Sequence, residues 1–414
     1  MFEQIQLDRE ITGSGENLLL CADGTAALPQ LKAYKGKVQC VYLDPPFMTG
    51  GKFTRRRRYG AKGWRTGSPA PTYPAYEDKY RSRDAYLGML RALVEQAHRL
   101  LSSTGVLCLH LDWHMSAYAR LICDEVFGAK RFLNEIVWSY ESGGRAKKHF
   151  SRKHDVILLY ARSPRYHFDL TQVPLESPAP RRNHMRRELD ENGRVCRTIR
   201  SGGKVYRYYE DAPVYPGDVW TDISHLQQRD PERTGYATQK PLKLLERLLR
   251  PVVREGDLVC DLCCGSGTTL VAAQQLGCRF IGVDKSPEAL LITRSRLRQE
   301  DVTLICPATG NAARIEATLE NDVLILTDFH ARHKAFPVTE QTFDRLESWA
   351  AGYWTPEGMV ALQHFQRTPK HPDLPLMCFL PELSGPLAIS TVDAAGMRRV
   401  YRWKCPGALP LDPA

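Results

Sequence analysis

A glycine-rich turn between an apolar strand and a helix constrains the fold of this chain more than any other feature. The apolar run from Leu258 to Cys260 leads into Asp261, and the turn that follows contains Gly265 and Gly267. Glycines let the backbone pass close to a ligand, and the next helix presents free N–H groups there until Gly277 ends it. The segment therefore predicts a strand, turn and helix of an α/β fold that binds a ligand.

A second predicted strand indicates the kind of ligand. Residues 279–283 form an apolar run that ends in Asp284, which lies 23 residues after Asp261. An acidic side chain at this spacing meets the ribose hydroxyls of a bound nucleotide. A dinucleotide site favours Gly-x-Gly-x-x-Gly for the pyrophosphate, whereas this turn continues as Gly-x-Gly-Thr-Thr. The pattern indicates a nucleoside cofactor without phosphate.

A rigid tetrapeptide, Asp44-Pro45-Pro46-Phe47, follows a second predicted strand, Val38 to Leu43. Its prolines fix φ near about −65° and remove two N–H donors, so the turn presents carbonyl oxygens and a carboxylate. Phe47 adds a flat apolar face. This combination suits the exocyclic amino group of a planar base. Taken alone, the tetrapeptide fits a strand-ending Asp-Pro turn equally well.

Together these motifs resemble those of the DNA amino-methyltransferases that use S-adenosylmethionine. The likeness covers roughly residues 15–300, with the catalytic motif before the cofactor motif, which is the circularly permuted order of that family. It includes the segment Glu16 to Leu20, Asp23 and the run Thr238-Gln239-Lys240-Pro241. In this family Asp-Pro-Pro-aromatic usually accompanies adenine N6, and Ser-Pro-Pro-aromatic more often accompanies cytosine N4. Asp44 therefore points to adenine.

The resemblance implies a role for each matching residue, with S-adenosylmethionine as the cofactor. The implied catalytic residues are Asp44, Pro45, Pro46 and Phe47, which would bind an adenine flipped out of the duplex. The implied cofactor residues are Asp261, Cys263, Gly265, Gly267 and Thr268 at the methionine portion, Thr238 and Lys240 at its carboxylate, Asp284 at the ribose, and Asp23 at the adenine. Cys263 and Cys264 depart from the Pro-Phe that the family often has there.

Histidines near predicted strands support weaker inferences. His110 and His114 end a strand together with Asp112, yet alternate residues of a strand share one face without converging on an ion. The pair His154-Asp155 resembles the Lys-His-Asp or Lys-His-Glu segment of the family, and we interpret it as a candidate for positioning the target base.

Positive charge is concentrated in one part of the chain. The net charge is +10, and residues 141–210 contain sixteen Lys or Arg against eight Asp or Glu. Aromatic residues are interleaved with this charge, as expected of a surface that neutralises phosphates and contacts bases. A solvated basic surface is the alternative. The residues predicted to contact nucleic acid are Arg181, Arg182, Arg186, Arg187, Lys204 and Arg207, together with Arg55, Arg56, Arg57 and Arg58 after the catalytic turn.

These patterns predict an α/β protein with a Rossmann-like methyltransferase fold, a mostly parallel sheet in circularly permuted order, an inserted target recognition region and a C-terminal appendage. Residues 1–165 are assigned to the catalytic half of the methyltransferase domain and 236–304 to its cofactor-binding half, because strands and helices alternate in both. Residues 166–235 are assigned to the basic target recognition insertion, where prolines interrupt that alternation. Residues 305–414 form an appendage of unknown role.

The composition excludes several other classes of protein. With 414 residues, 43% of them hydrophobic, the chain can bury a large core. It has no apolar stretch of about 18 residues and no basic, apolar leader, so we expect a cytoplasmic, nucleoid-associated protein without membrane contact. Several of its 12 cysteines fall in predicted core strands, which favours free thiols. Cys260 and Cys263 lack a second pair or nearby histidines, so no metal is expected.

The sequence leaves four functions open. The first is an adenine-N6 DNA methyltransferase; the others are a cytosine-N4 enzyme on the same scaffold, an RNA methyltransferase, and a catalytically idle, DNA-binding specificity subunit of a restriction-modification complex. An intact Asp-Pro-Pro-Phe argues against the last. The expected partners are double-stranded DNA, a second copy of the chain bound through the nearly neutral appendage, and a restriction subunit.

Overall fold

The computed structural model describes residues 2–5, 10–12, 16–56, 72–141, 146–176, 185–227, 230–236, 238–298, 302–306, 313–331, 342–356, 358–368, 371–393 and 398–403. The helices are α1 (Arg83–Leu100), α2 (Ser116–Cys123), α3 (Leu242–Leu249), α4 (Thr268–Gln275) and α5 (Pro287–Arg296). None of these described helices is long and apolar enough to cross a membrane.

The strands of the first part of the chain are β1 (Phe2–Ile5), β2 (Glu10–Thr12), β3 (Asn17–Cys21), β4 (Val38–Leu43), β5 (Lys52–Arg56), β6 (Thr72–Glu77), β7 (Leu101–Asp112), β8 (Phe132–Ser139) and β9 (His154–Ala161). The middle of the chain contains β10 (Arg186–Leu189), β11 (Val195–Ser201), β12 (Lys204–Tyr209), β13 (Val219–Trp220), β14 (Leu258–Asp261), β15 (Arg279–Asp284) and β16 (Val302–Cys306). The last strands are β17 (Ala313–Glu320), β18 (Val323–Ala331), β19 (Leu346–Thr355), β20 (Gly358–Gln366), β21 (Met377–Phe379), β22 (Leu387–Asp393) and β23 (Arg398–Trp403).

A ten-stranded sheet in the order β13-β8-β9-β7-β4-β14-β15-β3-β16-β2 forms the centre of the molecule. The strands from β7 through β4, β14, β15 and β3 to β16 are parallel to their neighbours, whereas β9 and β2 run antiparallel to theirs. The Rossmann-like, mostly parallel α/β fold predicted from the sequence is thus confirmed.

Helices cover both faces of this sheet, which explains why its central strands are largely apolar. In β4, Val41 and Leu43 belong to the core on the α1 side, where Leu90 lies. Cys40 alternates with them and belongs to the core on the opposite face, with Leu244 of α3. Because successive side chains of a strand point to opposite faces, an unbroken apolar run is what a two-sided core requires.

The functional edge of the sheet follows from the order of its strands. In chain order, the next strand of this sheet after β4 is β7, which lies on one side of the β4-β14 pair. The next strand after β14 is β15, which lies on the other side. The direction of the connections therefore reverses between β4 and β14, and in open α/β sheets a ligand crevice forms at that point, beyond the carboxyl ends of the strands. The pairing of Tyr42 with Asp261 places the catalytic turn and the glycine turn at this common edge.

Two further units flank the central sheet. Strands β10, β11 and β12 form a separate three-stranded sheet within the predicted insertion, and β13 returns to the edge of the main sheet beside β8. The C-terminal region is built of a five-stranded sheet, β1-β23-β22-β19-β20, and a three-stranded sheet, β17-β18-β21, around a shared core that contains Phe329, Trp349 and Tyr401. Its first strand, β1, comes from the extreme N-terminal part of the chain, which the sequence grouped with the catalytic half.

Candidate active site

A cavity of about 530 Å³ opens at the sheet edge where β4 and β14 meet. The predicted site residues that line it are Asp23, Asp44, Pro45, Pro46, Phe47, Thr238, Lys240, Asp261, Cys263, Gly265, Thr268 and Asp284. Gly267 is not among the lining residues. It packs against Thr293, since an added Cβ would come within 2.4 Å of Thr293 Cγ2. The catalytic turn and the glycine turn therefore share one cavity.

Asp44 is paired with Lys240. The Lys240 Nζ lies 2.9 Å from Asp44 Oδ1 and 2.7 Å from Oδ2, and the two side chains are only 12% and 17% exposed. The same ammonium lies 5.0 Å from the centre of the Phe47 ring. Sequence reasoning predicted Lys240 at the cofactor carboxylate and gave no signal of this pair, whose members are 196 residues apart. Lys240 thus contacts the catalytic turn directly.

Phe47 rests on a buried polar network, of which sequence reasoning singled out only Asp155, in the pair His154-Asp155, as a candidate for positioning the target base. Its ring stacks on His110, with centroids 6.1 Å apart and planes 29° apart. The Tyr42 hydroxyl lies 2.8 Å from His110 Nδ1, and His110 Nε2 lies 3.0 Å from Asp155 Oδ2. Tyr140 donates its hydroxyl to Asp155 Oδ1 at 3.0 Å. Because His110 is fully buried, its ring orientation is fixed by these partners.

The charge of Asp155 is maintained by this network. Burial is the largest single influence and raises its pKa, but the hydrogen bonds from His110 and Tyr140, with the charge of Lys240, outweigh burial and keep the pKa below its usual range. Asp155 is therefore ionised at neutral pH. The sequence offered one signal, since a histidine inside an otherwise apolar strand must find buried partners.

The backbone after Phe47 is fixed by Asp78, which the sequence analysis also missed. Asp78 Oδ1 accepts the Met48 N–H at 2.8 Å, and Oδ2 accepts both the N–H and the hydroxyl of Thr49 at 2.8 Å. The Gly50 N–H also donates to the Asp78 carbonyl at 3.0 Å. Met48 has φ of 59°, a left-handed conformation that costs a non-glycine residue roughly 1–2 kcal/mol. The Asp78 hydrogen bonds stabilise this strained turn.

On the opposite wall of the cavity, Asp261 ends β14 and organises the start of the glycine turn. Its Oδ1 accepts the Cys263 N–H at 3.0 Å, and Thr269 donates a side-chain hydrogen bond to the carboxylate. Burial nevertheless raises the pKa of Asp261 to about 7. Burial and the nearby carboxylates also raise the pKa of the Cys263 thiol, so this cysteine lines the cavity as a neutral group.

Asp284 fixes the rest of the turn. Its Oδ2 accepts the Gly265 N–H at 2.9 Å and its Oδ1 accepts the Ser286 N–H at 2.8 Å. Gly265 has φ of 51°, and a Cβ at this position would lie 3.1 Å from the ring of Tyr236. Thr293 donates its hydroxyl to the Gly265 carbonyl at 3.0 Å. The turn therefore needs glycine for both its conformation and its close packing.

The donors and acceptors of this wall fit the nucleoside cofactor expected from the sequence. Three carboxylates, Asp23, Asp261 and Asp284, line the cavity. They suit an ammonium group and hydroxyls, which donate hydrogen bonds, and they repel phosphate. S-adenosylmethionine has that ammonium and those ribose hydroxyls and no phosphate. Among the described residues, no group of three or more His, Cys, Asp or Glu is arranged to bind a metal ion.

The residues predicted to contact nucleic acid are separated by the structure. Arg55 and Arg56 end β5, which pairs with β6, and Arg57, Arg58, Arg181 and Arg182 lie outside the described residues. Arg186 and Arg207 both pair with Thr198 and share one face of the β10-β11-β12 sheet. Arg187 lies on the other face, where Glu210 accepts hydrogen bonds from it, and Lys204 ends the β11-β12 turn. Arg186 and Arg207 therefore lie together on one face of this small sheet, and Arg187 lies on the other.

Comparison with known proteins identifies the family of this chain. A family model described as DNA methylase matches residues 38–295, and a second, described as methyltransferase domain, matches residues 259–349. The type II methyltransferase M.EcaI of Enterobacter cloacae is 25% identical over 317 residues, covering 65% of this chain and 67% of that protein. The DNA adenine methyltransferase YhdJ of Escherichia coli strain K12 is 24% identical over 287 residues, covering 69% and 84%. A solved PvuII DNA methyltransferase, cytosine-N4-specific, aligns with a TM-score of 0.44 at 15% identity, covering 72% of this chain and 90% of that one.

Proposed function

The chain belongs to the DNA methylase family, and from this premise we propose that it methylates adenine N6 in double-stranded DNA. S-adenosylmethionine is its cofactor, and when bound it supplies an electrophilic methyl group on a sulfonium. The observation that carries the proposal is the shared cavity, in which the Asp44 carboxylate and the ring of Phe47 lie on the same edge as the carboxylate-lined wall of the glycine turn.

Asp44 is the central residue of the proposed chemistry. A carboxylate has about four acceptor positions, of which Lys240 uses two, so Asp44 can still accept an N–H of the target amino group. This bond draws the nitrogen lone pair out of the ring and toward the methyl donor. Asp44 then stabilises the positive charge that develops on nitrogen and can take the proton that leaves after the N–C bond forms.

The chain's aromatic and proline residues position the base. Flipping a base out of the duplex costs a few kcal/mol, and stacking on an aromatic ring returns roughly 1–3 kcal/mol. Phe47 provides this ring, and the Pro45 carbonyl provides a second acceptor for the amino group. The two prolines fix both groups, so little reorganisation is needed when the base arrives.

Adenine is favoured over cytosine by the residue at the head of the turn. The chain has Asp-Pro-Pro-Phe, the form that usually accompanies adenine N6 in enzymes it resembles, and one relative is named as a DNA adenine methyltransferase. Digestion of methylated duplex DNA to nucleosides should yield N6-methyladenine. Detection of N4-methylcytosine alone would overturn the choice of base, methylation of RNA alone would change the substrate, and binding of DNA without any product would favour the specificity subunit.

Cofactor affinity should depend on pH through Asp261. Its pKa of about 7 means that the carboxylate becomes protonated as the pH falls below that value, and a neutral carboxyl attracts the cofactor ammonium less strongly. We expect the dissociation constant of S-adenosylmethionine to rise by up to about tenfold per pH unit below pH 7. Calorimetric titration between pH 5.5 and 7.5 measures this, with Asp261→Asn as the pH-independent control. An unchanged slope in that variant would assign the dependence to another group.

The turn held by Asp78 should matter for the rate and not for cofactor binding. Asp78→Ala removes three hydrogen bonds from Met48 and Thr49, so Phe47 loses its fixed position, and a displacement of about 1 Å costs up to about 100-fold in rate. Single-turnover methylation should slow by about 10- to 100-fold with cofactor affinity within a few-fold of wild type. Met48→Gly is the matched control, because glycine adopts the left-handed conformation freely. Equal rates for Asp78→Ala and wild type would exclude this role.

We also propose that the protein is cytoplasmic and nucleoid-associated, and that its C-terminal sheets mediate self-association. A restriction subunit would be a separate partner. β21 is an edge strand on which Met377 is 59% and Phe379 62% exposed, and exposed apolar edges pair with other chains. Light scattering at micromolar concentration should give a dimer for the wild type and a monomer for Phe379→Lys. A monomeric wild type would refute the proposal.

A further inference from the structure

Phe150 is the most exposed large apolar side chain among the described residues. It is 97% exposed, and the next highest value, at Leu189, is 67%. A phenylalanine placed in water forgoes roughly 1.5–3 kcal/mol of burial, which a partner that covered the ring would return. The surrounding residues and the place of the loop in the fold indicate which one.

The loop that carries Phe150 leaves the sheet at the edge where the active site lies. β8 and β9 are antiparallel, with Ser139 paired to His154, so residues 140–153 connect them at one end. At that end β9 pairs Asp155 with Asp112, the last residue of β7. Because β7 is parallel to β4, the carboxyl end of β7 is also the edge that carries the catalytic turn.

The loop is also connected to the site by hydrogen bonds. Tyr140, at the start of the loop, donates to Asp155, which in turn bonds His110 beneath Phe47. The ends of the loop are joined by the Tyr140 N–H, which donates to the Lys153 carbonyl at 3.1 Å. The two ends of the loop, Tyr140 and Lys153, are thereby held beside the network that supports the stacking ring.

Residues 146–152, the described part of the loop around Phe150, make contacts of their own. The Ala146 N–H donates to Ser151 Oγ at 3.1 Å, and His149 Nδ1 lies 2.9 Å from the Phe150 carbonyl oxygen. The Arg152 guanidinium lies 4.1 Å from the ring centre of Trp113, which is itself 41% exposed. The aromatic side chain is therefore presented by a defined turn.

Cationic residues flank this aromatic side chain. Lys147, Lys148 and Arg152 are all exposed within five residues of one another around Phe150. A protein partner would favour an apolar patch with few charges at its centre, whereas DNA presents phosphates to the cations and stacked bases to the ring. Base flipping leaves a gap in the stack, and several proteins that bend DNA insert apolar side chains between base steps.

We propose that Phe150 inserts into the duplex in the space vacated by the flipped target base, while Lys147, Lys148 and Arg152 contact the flanking phosphates. The inference rests on the proposed function, because it requires a duplex substrate and an extruded base. Two aromatic rings then take part in base flipping. Phe47 stacks on the flipped base outside the duplex, and Phe150 takes the place of that base in the stack.

The test compares Phe150→Ala with wild type on two duplexes that contain the sequence the wild type methylates. One duplex is fully paired, and in the other the target base lies opposite an abasic site, which lowers the cost of flipping. Loss of a stacking contact should slow single-turnover methylation of the paired duplex by about tenfold or more. The rate on the abasic duplex should stay within about threefold of wild type, and Phe150→Trp should retain activity on both.

The matched control is Leu121→Ala, which removes another exposed apolar side chain, 63% exposed on α2, and should leave both rates unchanged. Fluorescence of 2-aminopurine at the target position reports flipping separately from methyl transfer, and it should fall in Phe150→Ala alone. Equal rates for Phe150→Ala and wild type on the paired duplex, or equal losses on both duplexes, would overturn the insertion. If the wild type methylates no duplex DNA, the proposed function fails and this inference fails with it. If the wild type methylates duplex DNA and Phe150→Ala gives either of those results, only the inference fails.

Discussion

Asp44→Asn should reduce the rate of methyl transfer by a factor on the order of 10³. Asparagine has nearly the same size as aspartate, but it is neutral and keeps only one acceptor oxygen, so it neither balances the developing charge on the amino nitrogen nor takes its proton. Single-turnover transfer of a labelled methyl group to duplex DNA measures the rate. Calorimetric titration should show cofactor affinity within a few-fold of wild type, because Asp44 is not among the residues predicted to bind the cofactor.

The pairing of Asp44 with Lys240 offers a second explanation that the same experiment can separate. If Asp44 served only to neutralise the Lys240 ammonium, the double variant Asp44→Asn/Lys240→Gln would recover activity. We expect no recovery, because the acceptor for the base is still missing. Asp218→Asn, at an exposed position beside β13, is the matched control and should behave as wild type. Near-normal turnover by Asp44→Asn would remove Asp44 from the chemistry.

His110→Ala should lower the free energy of unfolding by about 3 kcal/mol or more and also slow methyl transfer. The substitution leaves the ionised Asp155 carboxylate buried without one of its hydrogen-bond partners and creates a cavity beneath Phe47. Urea denaturation at pH 7 measures the loss of stability. A change below about 1 kcal/mol would show that the network does not stabilise the fold.

The pH dependence of stability tests the same network without creating a cavity. The pKa of Asp155 is lowered in the folded protein, so its ionised form stabilises the fold above the ordinary aspartate pKa, and this contribution is lost as the pH falls through the lowered value. Asp155→Asn lacks the contribution at every pH. The difference in unfolding free energy between wild type and Asp155→Asn should therefore be largest near pH 7 and shrink toward pH 3. An equal difference at both pH values would rule out Asp155 as the titrating group.

The parts of this protein that could be predicted from the sequence are those encoded over short segments. The Asp44 to Phe47 turn and the glycine turn that includes Gly265 each contain their own backbone instructions, since proline fixes φ and glycine permits positive φ. The alternation of apolar strands and helices predicted the class of sheet, because burial on both faces requires unbroken apolar runs. The carboxyl-edge rule then placed both turns at one crevice.

Only the tertiary structure could decide which distant side chains meet there. The Lys240 contact with Asp44 spans 196 residues and the Asp155 contact with His110 spans 45. Asp78 could not be assigned to the Met48 turn, because an aspartate in the sequence carries no sign of the amides it will accept. The sequence determined local conformation and chemical type, which depend on neighbouring residues. The order and register of the strands decided the pairing, because a hydrogen bond forms only where folding brings donor and acceptor within about 3 Å.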